Sequence, residues 1–245
     1  MALAIFDLDN TLLAGDSDHA WLDFLASLGA VEGDALREAN DRYYREYLEG
    51  TLDIHEFLRF VLAPLARHSR SELDAWHRQY MARKILPMIT PQSRALLEGH
   101  AREGDTRLII TATNRFVTGP IARELGVDEL LATEAEEDGN GNYTGRSTGI
   151  PCFREGKVER LRLWLAGRDL PWESTLAGAS FYSDSHNDLP LLELVGRPVA
   201  VDPDTTLADI ARERGWPVLS LHGKRTGPES AHSHSRGSGA GQAPA

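Results

Sequence analysis

Close to the start of the chain, the run Leu3-Ala4-Ile5-Phe6 leads directly into Asp7-Leu8-Asp9-Asn10-Thr11. Four apolar residues ended by a turn signal suit a strand buried on both faces of a parallel sheet. Open sheets of that kind bind ligands just beyond the carboxyl ends of their strands. The spacing predicts Asp7 and Asp9 as alternate residues of one strand end, both directed into that crevice. Two carboxylates held together resist double ionisation unless a cation lies between them. The segment therefore reads as a divalent-metal and nucleophile site. A solvated capping loop also carries a lone D-x-D, so the remainder of the chain has to choose.

That remainder has two textures. From Asp16 to Arg83 the apolar spacing is helical almost throughout, with Asp16-Ser17-Asp18 as a cap and helices expected to Leu28, over 34–48, over 53–65 and after Ser71. From Pro91 onward, strands alternate with helices. Strands are expected at 107–111, 130–133, 179–182, 198–201 and 217–221, and helices at 93–102, 116–125, 157–165, 188–195 and 207–214. Asp138-Gly139-Asn140-Gly141-Asn142 reads as a hairpin tip returning through Tyr143. Strands alternating with helices imply an α/β fold, a right-handed parallel sheet covered on both faces.

Charge and cysteine content narrow the function. With 26 basic and 37 acidic residues the net charge is −11, which argues against a nucleic-acid or anionic-membrane partner. Cys152 is the single cysteine, so no intrachain disulfide is available, and a reducing, cytoplasmic setting is expected. No apolar run approaches a membrane span. Residues 222–245, rich in Gly, Ser, His and Ala, read as a disordered tail, and His232 and His234 in it as solvated. The only lysines are Lys84, Lys157 and Lys224.

Four features fall where a doubly wound sheet would gather them at one edge. They are Asp7-x-Asp9-x-Thr11, Thr111 after Leu108-Ile109-Ile110, Lys157 at a helix start, and Asp184 to Asp188 after an apolar strand. Taken singly, each has a plain alternative. Thr111 ends a strand, Lys157 is a solvated charge among Arg154, Glu155, Glu159 and Arg160, and Asp184 and Asp188 cap a helix.

Together the four features resemble the haloacid dehalogenase superfamily, in its phosphoserine-phosphatase-like branch, from about Leu3 to Leu221. The resemblance implies a Rossmann-like three-layer core formed by residues 1–15 and 89–221, with strand order near 5-4-1-2-3. Residues 16–88 would form an all-helical cap. It implies Asp7 as nucleophile and Asp9 as general acid and base, with the Asp9 backbone carbonyl also touching magnesium. Thr111 and Lys157 would hold the phosphoryl oxygens, Asp184 would bind the metal, and Asp188 would support it. Ser183 departs from the glycine often found before the last acidic motif.

An oxygen-rich ligand set from Asp7, Asp9 and Asp184 suits Mg2+ better than zinc, for which no fixed His/Cys set is present. The expected activity is a phosphomonoesterase acting on a small phosphorylated metabolite. In the branch, an acid at the position of Asp16 receives a substrate ammonium, and a cap arginine receives a carboxylate. Leu58-Arg59-Phe60-Val61 is the nearest match to that arginine run and is one arginine short. A phosphorylated amino alcohol such as L-histidinol phosphate follows, with phosphoserine second. A phosphotransferase and a non-catalytic phosphometabolite binder are the remaining alternatives.

Overall fold

The computed structural model describes residues 2–31, 33–127 and 129–223. Strand β1 (Leu3–Phe6) is followed by helices α1 (Ser17–Ser27), α2 (Gly33–Leu48), α3 (Ile54–Leu62) and α4 (Arg70–Tyr80). Then come α5 (Pro91–Arg102), β2 (Thr106–Asn114), α6 (Arg115–Glu124), β3 (Glu129–Glu137) and β4 (Tyr143–Thr148). The chain continues through α7 (Glu155–Ala166), α8 (Trp172–Gly178), β5 (Ser180–Ser183), α9 (Leu189–Leu192), β6 (Arg197–Val201), α10 (Thr205–Arg214) and β7 (Val218–Leu219).

The sheet order is β4-β3-β2-β1-β5-β6-β7, with every pairing parallel except β3 with β4. The inner five strands follow the expected order; β7 extends one edge and the β3–β4 hairpin the other. Alternation along β1 divides the core in two. Ala4 and Phe6 join one apolar cluster with Ile109, Val199 and Val201, whereas Leu3 and Ile5 join another with Leu108, Ile110 and Phe181. Each face is covered, as a parallel sheet requires.

The helical insert leaves the core after Leu13 and returns at Ile89. These two residues pair as an antiparallel bridge, and the Ala14 N–H donates to the Met88 carbonyl at 2.8 Å. The insert does not have one core of its own. Trp21 and Phe24 of α1, Leu58 and Val61 of α3, and Tyr80 of α4 share the large cluster with the sheet. Tyr43 of α2 instead packs with Leu52 and Phe153 in a small separate cluster.

Several elements differ from the sequence reading for local reasons. β1 stops at Phe6, so Asp9 is not a strand residue. It stands in a turn in which the Leu8 carbonyl accepts the N–H groups of Thr11, Leu12 and Leu13, while Asn10 takes φ 55°, a conformation asparagine tolerates. β2 runs past Thr111 to Asn114, and α8 was not expected because Pro171 reads as a break yet sits at its N-cap. α9 is only four residues long and begins immediately before Pro190. At the carboxyl end, His222, read as tail, donates its backbone N–H to Asp202 Oδ2 at 3.1 Å. The expected tail beyond it, 224–245, lies outside the described residues.

Candidate active site

The carboxyl edge of the sheet collects acids around one lysine. Asp7 follows β1 directly and is tied to β5, its N–H donating to the Tyr182 carbonyl at 2.9 Å. Lys157, in the first turn of α7, places Nζ 2.8 Å from Asp7 Oδ1 and 2.7 Å from Asp188 Oδ2. All three side chains are buried. Lys157 is brought this close because Gly156 precedes it: a Cβ at that position would run into the Pro151 carbonyl. Burial raises the Asp7 carboxyl to about 7, with Asp188 and Asp9 adding to the rise and Lys157 opposing it. Burial works against the charge of Lys157, but Asp188 and Asp7 outweigh it and raise the ammonium above its ordinary value.

Asp9 is turned away from that pair. Its Oδ1 accepts the Ser17 N–H at 2.7 Å and its Oδ2 the Thr113 hydroxyl at 2.7 Å. Burial and the charge of Asp16 raise it to about 6, while the bonds from Ser17 and Thr113 lower it. Thr111 lines the same pocket with its hydroxyl 3.5 Å from Asp9 Oδ2, beyond good bonding distance. Asp184 is locked to Thr11: its N–H donates to the Thr11 hydroxyl at 3.0 Å, which donates back to Asp184 Oδ1 at 3.1 Å. The Ser183 hydroxyl donates to Asp188 at 2.7 Å, so this departure from the family pattern orients the acid that holds Lys157.

Asp16 forms part of the pocket wall and also caps α1, accepting the His19 N–H at 2.8 Å. Its carboxyl is raised, chiefly by burial. The remaining wall was not foreseen as functional. Tyr43 and Tyr47 of α2, Phe57 of α3 and Phe153 form an aromatic side, and Asp18 and Thr113 add polar groups. Thr113 was legible in principle, because it follows Thr111 by two residues on the same strand. The aromatics were not, because Tyr and Phe at helical spacing read as core. Arg59 is exposed and does not line the pocket.

Lys157 is held between Asp7 and Asp188, Asp9, Asp16 and Asp18 line the same pocket, and an all-oxygen donor set of this kind fits a hard divalent cation. A second acidic group, His100, Glu103 and Asp105, lies near the opposite end of the strands. Both its ring nitrogens are engaged, Nδ1 with Asp105 Oδ2 and Nε2 with the Tyr182 hydroxyl, each at 2.9 Å.

The haloacid dehalogenase-like hydrolase family matches residues 4–193. The chain belongs to that family. It is 48% identical to a histidinol-phosphatase from Neisseria meningitidis serogroup C over 219 residues, covering 89% of this chain and 98% of that protein. It is 34% identical over 223 residues to phosphoserine phosphatase SerB1 of Mycobacterium tuberculosis, covering 89% of this chain and 70% of that one. A crystal structure from Bordetella pertussis Tohama I, described as a protein of unknown function, superposes with a TM-score of 0.84 at 48% identity, covering 90% of this chain and 98% of that one. Family and relatives together make the chain a phosphoric monoester hydrolase.

Proposed function

We propose that this hydrolase cleaves the phosphate ester of a small amino alcohol, L-histidinol phosphate, through an aspartyl-phosphate on Asp7 with Mg2+ as cofactor. The observation that carries the substrate reading is the character of the pocket wall: acids and aromatic rings, with Lys157 and His19 as its only basic side chains among the described residues. Such a wall favours an ammonium and a flat ring and offers a substrate carboxylate no arginine clamp. The histidinol-phosphatase relative supports the same choice. Phosphoserine is the second reading, supported by the SerB1 relative.

The chemistry follows from the residues in hand. Asp7 attacks phosphorus with the oxygen not bonded to Lys157, and the ammonium of Lys157 offsets the charge that builds on the transferring group. Asp9, raised to about 6, is protonated often enough near neutrality to donate to the leaving alkoxide. Once ionised, it takes a proton from the water that opens the acyl-phosphate. Mg2+, held by Asp7, the Asp9 backbone carbonyl and Asp184, would neutralise phosphoryl oxygens against the surrounding carboxylates. Helix α2 closes over the pocket through Tyr43 and Tyr47, giving the insert the role of a specificity cap.

The test compares kcat/KM for L-histidinol phosphate, phosphoserine and a sugar phosphate. Histidinol phosphate should lead by about tenfold or more; a preference for phosphoserine, or no preference, overturns the substrate assignment. Asp7→Asn should abolish turnover with the fold intact, and substantial residual phosphatase activity would refute the nucleophile.

A further inference from the structure

The start of α1 carries a buried acid that none of the roles above uses. Asp18 is 4% exposed and forms part of the pocket wall. Its Oδ1 accepts the Asn114 amide at 3.3 Å, and Asn114 is itself fixed as the cap of α6 through the Val117 N–H at 3.2 Å. Its Oδ2 has no hydrogen-bond partner among the described residues. The carboxylate is therefore oriented from behind by one amide and presents its second oxygen without a donor. A buried polar atom in that condition is costly to the fold and is rarely kept without a use.

Burial holds the Asp18 carboxyl well above the ordinary carboxylate value, and Asp16 is close enough for its charge to add to the rise. It is also the residue already engaged by the α1 backbone, through the His19 N–H. A primary ammonium has three N–H donors and needs several acceptors at once. Asp16 alone, partly occupied by capping, meets that need poorly, whereas two carboxylates two residues apart meet it better.

We propose that Asp18 is a specificity-determining residue, its Oδ2 accepting an N–H from a protonated primary amine on the substrate, with Asp16 as the second carboxylate. The inference rests on the reading that the substrate is an amine-bearing phosphate ester. It assigns the amine's discrimination to a residue that sequence reasoning would leave as a helix cap.

The experiment uses two esters that differ only in the amine: L-histidinol phosphate and 3-(imidazol-4-yl)propyl phosphate. The wild-type enzyme should prefer the amine-bearing ester by about 100-fold in kcat/KM, within the range a single buried polar recognition supplies. Asp18→Asn keeps the shape and the bond to Asn114 but removes the charge. It should reduce that preference to below about tenfold, mainly through KM, while Tm stays level or rises because a donorless carboxylate has been removed. A wild-type enzyme indifferent to the amine would overturn the substrate reading and this inference together. A preference that survives intact in Asp18→Asn would overturn this inference alone. A fall in Tm, or failure of Asp18→Asn to fold, would also overturn it, since Asp18 would then be there for the fold.

Discussion

Replacing Thr113 by valine tests the site through a residue with no obvious claim to chemistry. Valine fills the same volume, and Thr113 is buried, so the only bond removed is the one its hydroxyl donates to Asp9 Oδ2 at 2.7 Å. A bond of that length to a charged acceptor contributes about 1.5–3 kcal/mol in favour of the ionised carboxylate. At 1.36 kcal/mol per unit, its loss should raise Asp9 from about 6 by about one to two units. The Ser17 N–H at 2.7 Å remains, and Thr111 at 3.5 Å is too distant to compensate. The sign follows from the role. Phosphoryl transfer needs Asp9 protonated, so a higher value keeps the acid in its working form to higher pH. The alkaline limb of kcat/KM for an alkyl phosphate should therefore move up by about one to two units in Thr113→Val. With p-nitrophenyl phosphate, whose leaving group needs little protonation, the limb should barely move. An unshifted limb with both substrates, or a shift toward acid, would refute the assignment of Asp9 as the acid.

Three further outcomes are expected. Asp7 at about 7 and Asp9 at about 6 hold protons more tightly in the folded chain than at the ordinary 3.8. Stability without metal should therefore fall as pH rises from about 4 through 7; Tm in chelator should drop by about 5–10 °C between pH 5 and 8, and Mg2+ should restore more of it at pH 8 than at pH 5. Lys157→Met leaves Asp7 and Asp188 buried without their cation, which should cost about 3–5 kcal/mol in urea unfolding at pH 7 and less at pH 5, where Asp7 is protonated. Gly156→Ala forces a methyl group into the Pro151 carbonyl, so the start of α7 must shift. Stability should fall by about 1–3 kcal/mol and kcat by about 100-fold, read by steady-state kinetics on folded protein.

What the sequence disclosed follows a physical division. The burial of β1, the alternation of strands and helices, and the side-by-side arrival of Asp7, Lys157 and Asp188 all come from long apolar runs and from the rule that loops gather at strand carboxyl ends. Thr113 stayed hidden because the apolar run stops at Ile110, while the hydrogen-bonded strand continues to Asn114. The short α8 stayed hidden because Leu170-Pro171 reads as a break when Pro171 is in fact a helix start. The pocket's aromatic side was obscured for another reason. Tyr43 and Phe57 obey the helical period of buried residues, and periodicity cannot say whether the apolar neighbour is the sheet or a ligand.

The position of β1 has a consequence for how the chain reaches its native state. Ala4 pairs on one side with Arg107 and on the other with Ser180, so β1 waits for neighbours 103 and 176 residues further along the chain. Closing the loop to residue 106 costs little at equilibrium, since the entropy grows only logarithmically with length, but it slows the search. During synthesis the apolar Leu3–Phe6 segment must wait unpaired while the helices of the insert can already form from local contacts. The nucleophile strand is then clamped on both sides only once β5 has been made. Any ribosome stall or truncation before residue 180 would leave a chain with most of its helices, an exposed apolar β-edge and no catalytic centre.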